Sequence, residues 1–185
     1  MAIYVTSDAH GHVRALDEAL SKISLASDDT LYVLGDMIDR GPDPVGVIKL
    51  VRSLPNARVL KGNHEQIMLD AIIGQDPLDA ETWDINGGWT TRQQLNDMEF
   101  EAYEELVRWM ATLPLYAVAE TDERPYLLVH AGIQTEAARA FLLEHGVDCA
   151  DGAGAVDADR ELLKQMLAVQ SSDDLLWIRH GYWDA

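Results

Sequence analysis

The sequence has little cysteine, few basic residues and no long apolar run, and each shortage excludes a class of protein. Cys149 is the only cysteine, so no disulfide can form within the chain, and we expect a cytoplasmic protein. Lysine and arginine number 14 against 32 acidic residues, giving a net charge of −18. Nucleic acids and anionic membranes bind basic surfaces, so we expect neither as a partner. No window approaches the roughly 20 apolar residues of a membrane span, and no signal peptide is recognisable.

The length and the hydrophobic content of the chain indicate one globular domain. A chain of 185 residues, 48% of them hydrophobic, can bury a core but is too short for two full domains. We predict a single domain over residues 1–185, with a mostly helical insert at about 66–112. The stretch Asp148–Asp159 is rich in glycine, alanine and aspartate and is predicted to be a loop.

Short apolar runs alternate with amphipathic stretches in the first third of the chain. The predicted strands there are Ile3–Thr6, Leu31–Leu34 and Ala57–Leu60, separated by predicted helices at Val13–Ile23 and from Pro44 onward. This alternation is typical of βαβ units and a parallel sheet. Two later strands are predicted at Leu115–Ala119 and Tyr126–Val129, with a polar turn between them.

Polar residues follow four of these predicted strands directly. Asp8 and His10 follow the first, Asp36 the second, Asn63 the third, and His130 the last. In open α/β sheets the ligand crevice lies beyond the carboxyl ends of the strands. We therefore expect these four clusters to converge.

The types of side chain in these clusters suit a metal centre. Asp8 and His10 are two residues apart, so their side chains point the same way and could hold one cation together. Asp36 could bridge two cations through its two oxygens, while Asn63 offers an amide oxygen and His130 an imidazole. Nitrogen and oxygen ligands without thiolate favour manganese, iron or zinc over a structural zinc site.

Each of these residues, taken singly, also has a structural interpretation. An aspartate after a strand is commonly a helix cap, an Asn-His pair is commonly a turn, and a histidine at a strand end commonly has an ordinary polar partner. Four such clusters at four strand ends together favour a metal site.

The remaining polar residues suit phosphoryl chemistry. Arg40 and Arg179 could each form a bidentate pair with phosphate oxygens, although a salt bridge is the alternative for both. His64 could act as general acid on the leaving oxygen, with Asp39 orienting its ring. Two cations about 3.5–4 Å apart would hold a bridging hydroxide for in-line attack. They would also reverse the local charge of an acidic protein that must receive phosphate.

Four motifs resemble those of the calcineurin-like metallophosphoesterase superfamily. They are Asp8-Ala9-His10-Gly11, Gly35-Asp36-Met37-Ile38-Asp39-Arg40-Gly41, Gly62-Asn63-His64-Glu65 and His130-Ala131-Gly132. The second and third look like the phosphoprotein phosphatase branch, which includes Ser/Thr protein phosphatases and symmetrical diadenosine tetraphosphatases. Asn86-Gly87-Gly88 and Trp177-Ile178-Arg179 are similar to segments of bacterial and phage members.

The resemblance implies a four-layer α/β/β/α sandwich around a dinuclear centre, with Mn²⁺ as the expected metal and Fe or Zn as alternatives. Its implied site residues are Asp8, His10 and Asp36 for the first metal, Asp36, Asn63 and His130 for the second, His64 and Asp39 as the acid pair, and Arg40, Asn63 and Arg179 for phosphate.

Two departures from the family pattern affect this expectation. Lys61 stands where many members have arginine, so one bidentate phosphate contact is lost. The family's last ligand histidine, in a Gly-His motif, has no counterpart before Ala185, and His180 is the conceivable substitute. Either the sandwich is shortened at its C-terminus, or water or another residue completes the second metal site. We expect that site to be weaker and, in a shortened sandwich, an open sheet edge at which a dimer could form.

The leading functional hypothesis is a Ser/Thr protein phosphatase that hydrolyses phosphomonoesters. The alternative enzyme is a symmetrical bis(5'-nucleosyl)-tetraphosphatase, so the expected partner is a phosphorylated protein or a small phosphate. A third hypothesis is a metal-binding protein with little activity. The presence of both His64 and Asp39 argues against it, because a binding module needs no acid pair.

Overall fold

The computed structural model of the protein describes residues 1–74, 76–147 and 159–178. Its contacts divide the chain into two units, Met1–Pro114 and Leu115–Ala185. The single domain over residues 1–185 stays a prediction. Most of the predicted loop at 148–159 lies outside the described residues, as do Arg179 and His180.

A parallel three-stranded sheet forms the centre of the first unit. Its strands are β1 (Ile3–Thr6), β2 (Thr30–Val33) and β3 (Ala57–Val59), in the order β1-β2-β3. Helix α1 (Val13–Ile23) connects β1 to β2, and α2 (Pro44–Ser53) connects β2 to β3. The predicted α/β class with a parallel sheet is confirmed.

The second and third strands end one residue earlier than predicted. Leu34 and Leu60 continue the apolar runs, and both still take part in the ladder. The N–H of Leu34 donates to the carbonyl of Thr6 at 2.8 Å, and that of Leu60 to the carbonyl of Val33 at 2.8 Å. The backbone therefore stays extended and paired up to the polar turns that follow.

Helix α2 begins where its sequence predicts. Asp43 precedes it and its Oδ1 accepts a hydrogen bond from the N–H of Gly46 at 2.9 Å, while Pro44 takes the first helical position. An acidic N-cap followed by proline satisfies the free N–H groups of a first turn. Five residues of α2 are buried against the sheet and the neighbouring helices: Pro44, Val45, Val47, Ile48 and Val51.

The region after β3 is helical. Its described helices are α3 (Asn63–Ile73), α4 (Pro77–Ile85), α5 (Trp89–Asn96) and α6 (Phe100–Ala111). The helical region therefore begins three residues before position 66, because α3 starts inside the Gly62-Asn63-His64-Glu65 motif. Buried residues of these helices, including Met68, Trp83 and Met110, complete the core of the first unit.

The second unit has a core of its own. Strands β4 (Tyr116–Glu120) and β5 (Pro125–Val129) form an antiparallel pair, and helices α7 (Thr135–Glu144), α8 (Arg160–Ala168) and α9 (Ser172–Trp177) follow. Val118, Leu142 and Met166 are buried together there. Among the described helices of both units, none combines the length and apolar character that crossing a membrane requires.

Candidate metal centre

Three segments of the first unit bring a carboxylate and two imidazoles together. The turn after β1 carries Asp8 and His10, the turn after β2 carries Asp36, and the first turn of α3 carries His64. The Nε2 atom of His10 lies 3.5 Å from Oδ2 of Asp36 and 3.9 Å from Oδ1 of Asp8. The Nε2 atom of His64 lies 4.0 Å from the same Asp36 oxygen. Ligand atoms of His10, Asp36 and His64 all fall within 4.8 Å of one another.

The two turns after β1 and β2 adopt an uncommon backbone conformation. Asp8, His10 and Asp36 have φ values of 55°, 39° and 53°, in the left-handed region that non-glycine residues rarely enter. Hydrogen bonds between the turns hold this conformation: the N–H of His10 donates to the carbonyl of Asp36 at 2.9 Å, and that of Gly11 to the carbonyl of Met37 at 2.9 Å. Backbone strain of this kind, about 1–3 kcal/mol per residue, clusters at functional sites.

The imidazole of His10 is oriented as a metal ligand. Its Nδ1 lies 2.8 Å from the carbonyl oxygen of Ile38, so Nδ1–H donates and the lone pair of Nε2 faces the two aspartates. Burial lowers the pKa of His10 below its ordinary value, although the hydrogen bond to Ile38 and the charge of Asp36 oppose the shift. The neutral ring, which is the form that binds a cation, is therefore favoured.

The donor set fits a divalent cation. Two ligand atoms that share one ion, each about 2.0–2.2 Å from it, stand roughly 3–4 Å apart, which the separations of 3.5 and 3.9 Å around His10 match. Asp36 points its Oδ2 at this position, while its Oδ1 accepts the N–H of His64 at 3.0 Å. A Cβ at Gly62 would lie 2.3 Å from that Oδ1, so glycine is required beside the carboxylate.

His64 forms a buried pair with Asp39. The Nδ1 atom of His64 lies 2.7 Å from Oδ2 of Asp39, and the two residues are 1% and 0% exposed. The other oxygen of Asp39 accepts hydrogen bonds from Trp83 Nε1 at 3.0 Å and from Thr91 Oγ1 at 2.6 Å. This is the geometry of an imidazole oriented by a carboxylate.

Arg40 joins the two imidazoles. Its Nη1 lies 2.8 Å from Nε2 of His10, and its Nη2 lies 2.7 Å from Nε2 of His64. A guanidinium only donates, so both Nε2 atoms accept and both rings carry their proton on Nδ1. The backbone N–H of Arg40 donates to the carbonyl of Gly87 at 3.0 Å, which ties the residue to the turn between α4 and α5.

Glu65 connects the turn after β2 to the start of α3 through backbone hydrogen bonds. It is fully buried, and its carboxylate accepts from the N–H groups of Asp36, Met37 and Gly62, each at 2.8 Å. Burial raises the pKa of Glu65, the charge of Asp36 acts in the same direction, and the three N–H donors oppose both. The side chain thereby fixes the position of the backbone that carries Asp36.

The remaining predicted site residues lie in both units, and one lies outside the described residues. Asn63 is buried as the first residue of α3, next to His64. Lys61 is half-buried and its Nζ donates to Gln66 Oε1 at 3.3 Å. His130 follows β5 in the second unit, so its meeting with Asp36 and Asn63 stays a prediction. The phosphate contact predicted for Arg179 lies outside the described residues.

The sequence interpretation missed three supporting residues. Glu65 stands in a quoted motif, but nothing in the sequence showed that it also accepts from the turn after β2. Trp83 and Thr91 flank the Asn86-Gly87-Gly88 turn, and both are buried polar side chains. A tryptophan and a threonine in a helical stretch do not by themselves indicate a functional site. The one feature of the sequence that could have indicated them is their position on either side of a glycine-rich turn.

The fold and the site together are those of a metal-dependent phosphoesterase family. The chain belongs to the calcineurin-like phosphoesterase family, whose family model matches residues 1–182. A symmetrical bis(5'-nucleosyl)-tetraphosphatase of Erwinia tasmaniensis is 32% identical over 136 residues, or 72% of this chain and 45% of that relative. One of Salmonella paratyphi C is 30% identical over 158 residues, or 84% of this chain and 50% of that relative. The chain thus spans about half the length of these curated relatives.

A solved structure supports the fold alone. A serine/threonine phosphatase of Saccharomyces cerevisiae matches with a TM-score of 0.50 and 20% identity, covering 73% of this chain and 39% of that one. The family predicted from the four motifs is confirmed by the family model that matches residues 1–182.

Proposed function

We propose that the protein is a metal-dependent phosphoesterase whose first cation is bound by Asp8, His10 and Asp36. The observation that carries this proposal is the convergence of His10 Nε2 with Asp36 Oδ2 and Asp8 Oδ1 within 3.9 Å. Asn63 and His130 are proposed to complete a second site with Asp36. Bound divalent cations, which we propose are Mn²⁺ with Fe or Zn as alternatives, supply Lewis acidity and lower the pKa of water.

His64 is the proposed general acid. Asp39 holds its Nδ1, which leaves Nε2 facing the cluster and able to carry a proton to a leaving oxygen. In the described geometry Nη2 of Arg40 donates to that Nε2. A phosphate offers a guanidinium two charged acceptors in place of a neutral nitrogen, so we expect substrate to draw Arg40 away from the imidazoles. The same movement gives the substrate its bidentate contact and frees Nε2.

A dinucleoside polyphosphate is the first candidate substrate. Relatives at 30–32% identity are named symmetrical bis(5'-nucleosyl)-tetraphosphatases, which supports a nucleotide anhydride over a phosphoprotein. The phosphoprotein, which the motifs alone put first, becomes the second candidate. It is kept because the motifs around Asp36 and Asn63 resemble the branch that contains both. Values of kcat/KM for diadenosine tetraphosphate and a phosphopeptide, measured side by side with Mn²⁺, distinguish the two. A preference for the phosphopeptide would overturn the nucleotide proposal.

The shared chemistry is tested with p-nitrophenyl phosphate and with metal binding. Wild-type protein with Mn²⁺ should hydrolyse the ester, and His64→Ala should lower kcat by about 10²–10⁴-fold, the range of a general acid. Asp36→Asn should abolish tight Mn²⁺ binding in calorimetry, whereas Asp17→Asn, on the exposed face of α1, should bind as wild type does. A protein that binds Mn²⁺ but turns over none of the three substrates would instead be a metal-binding protein without phosphoesterase activity.

A further inference from the structure

We propose that Trp83 and Thr91 are positioning residues for the proton transfer by His64, acting through Asp39. This inference rests on the proposed function, in which His64 is the acid. The two side chains belong to consecutive helices, α4 and α5, and both donate to Oδ1 of Asp39. Because Oδ1 is taken by these donors, Oδ2 is the oxygen that faces the imidazole of His64.

The hydroxyl of Thr91 holds Asp39 at two points. Its Oγ1 donates to Oδ1 of Asp39 at 2.6 Å and accepts the backbone N–H of the same residue at 2.9 Å. Asp39 has a φ of 70°, so its backbone needs such support to remain in the left-handed region. One hydroxyl thus fixes both the backbone and the carboxylate, and a buried carboxylate without its donors is costly.

The turn between α4 and α5 has the residues that this arrangement requires. A Cβ at Gly88 would lie 2.3 Å from Nε1 of Trp83, so only glycine allows the indole to lie against the chain. Gly87 has a φ of 92°, and its carbonyl accepts the N–H of Arg40 at 3.0 Å. The same short segment therefore supports both Asp39 and Arg40.

The proposed metal ligands have other supports. The ring of His10 is fixed by the carbonyl of Ile38, and the backbone of Asp36 by Glu65. The support by Glu65 does not involve Trp83 or Thr91. The Ile38 carbonyl, however, belongs to the same peptide group as the N–H of Asp39, which donates to Thr91 Oγ1. The indole N–H of Trp83 donates to the carboxylate of Asp39 and not to that peptide group.

Loss of the Thr91 hydroxyl removes a support of the peptide group that fixes His10 as well as of the Asp39 carboxylate. Loss of the Trp83 N–H should therefore disturb the direction of the His64 imidazole while leaving cation binding intact. A merely structural role would affect both.

The chain offers a matched control beside Thr91. Thr90 is also buried on α5, but its hydroxyl has no hydrogen-bond partner among the described residues. Thr90→Val and Thr91→Val make the same change one position apart, and Thr91→Ser keeps the hydroxyl. Trp83→Phe removes the indole N–H and carries the same test if Thr91→Val does not fold.

The first measurement is kcat/KM with Mn²⁺ for aryl phosphates of differing leaving group. A general acid matters most for a poor leaving group, so Thr91→Val and Trp83→Phe should lower hydrolysis of phenyl phosphate about tenfold or more. Hydrolysis of 2,4-dinitrophenyl phosphate should change by about twofold at most, because its leaving group needs little protonation. Thr91→Ser should restore the wild-type ratio of the two rates, and Thr90→Val should leave it unchanged.

The second measurement needs no turnover. The proton on Nδ1 of His64, shared with a carboxylate at 2.7 Å, should give a downfield ¹H resonance in protein without added metal. His64→Ala assigns this resonance. Thr91→Val and Trp83→Phe should shift or broaden it and Thr90→Val should not, while the Kd for Mn²⁺ stays within about twofold of wild type in Trp83→Phe and in Thr90→Val.

The outcomes separate this inference from the proposed function. Equal losses for both esters, or weaker Mn²⁺ binding in Trp83→Phe, would mean that the two residues act on the whole site, and the inference would be wrong. Wild-type rates for both esters in the Thr91 and Trp83 variants would also overturn it. If wild-type protein hydrolyses neither ester, the proposed phosphoesterase activity is refuted. If the loss of rate in His64→Ala does not depend on the leaving group, the proposed role of His64 as general acid is refuted.

Discussion

Replacing Glu65 by glutamine should destabilise the first unit and weaken the proposed metal site. The carboxylate accepts three backbone N–H groups: Oε2 from Asp36 and Gly62, and Oε1 from Met37. A glutamine has one acceptor oxygen in place of two. Placed at the Oε2 position, that oxygen keeps two of the bonds, but the amide NH₂ then faces the N–H of Met37, donor to donor.

The cost follows from those contacts. A buried N–H left without an acceptor costs about 1–3 kcal/mol, and the two retained bonds weaken because they no longer end on a charge. Removing a buried charge offsets part of this loss, since burial raises the pKa of Glu65 and so already disfavours its ionised form. We expect a net loss of about 2 kcal/mol in the free energy of unfolding.

Urea unfolding and amide hydrogen exchange measure this change. Exchange should speed up first at the N–H groups of Asp36, Met37 and Gly62, and calorimetry should show a higher Kd for Mn²⁺. Glu18→Gln, on the exposed side of α1, is the control and should stay within about 0.5 kcal/mol of wild type. If Glu65→Gln unfolds and exchanges as Glu18→Gln does, the reasoning from three backbone donors is refuted.

Three further predictions concern the pH dependence of stability, the space beside Asp36, and the requirement for metal. Two backbone N–H groups lower the pKa of Asp29, so its carboxylate favours the folded state above its ordinary pKa of 3.8. Asp29→Asn should therefore lower the unfolding free energy at pH 7, and the difference should vanish as the pH falls through the lowered pKa; a constant difference down to low pH would contradict this. Gly62→Ala should raise the Kd for Mn²⁺ by about tenfold or more, because its Cβ meets Asp36 Oδ1 at 2.3 Å. Gly146→Ala is the control: its φ of 78° strains the backbone, but its Cβ meets no atom within 4 Å, so it should bind Mn²⁺ as wild type does. Treatment with a chelator should abolish hydrolysis of p-nitrophenyl phosphate and added Mn²⁺ should restore it; activity that survives chelation would refute the metal requirement.

The secondary structure of the first unit was predictable because local and tertiary preferences agree there. The predicted bounds of β1 and α1 are those of the structure. The small errors fell at Leu34 and Leu60, where apolar character and ladder hydrogen bonds outlast the regular strand. Such ends depend on backbone pairing with another strand, which a hydrophobic pattern does not contain.

The residues of the candidate site were predictable as a set of chemical types. The carboxylates and imidazole of Asp8, His10 and Asp36 follow buried strands, and parallel strands end at one edge of the sheet, which predicts that they meet. Their separations, and the αL backbone that produces them, came only from the structure. The place of His130 beside them stays a prediction.

The sequence by itself determined which donor atoms this protein has, the order in which strands deliver them, and the family to which it belongs. Tertiary structure decided which atoms face one another: that Glu65 accepts from two turns, that Arg40 lies between two imidazoles, and that Trp83 and Thr91 hold Asp39. The physical reason is one of range. Hydrophobic periodicity and turn chemistry act over a few residues, whereas a buried carboxylate is satisfied by whichever donors the folded chain brings to it, here up to 52 positions away.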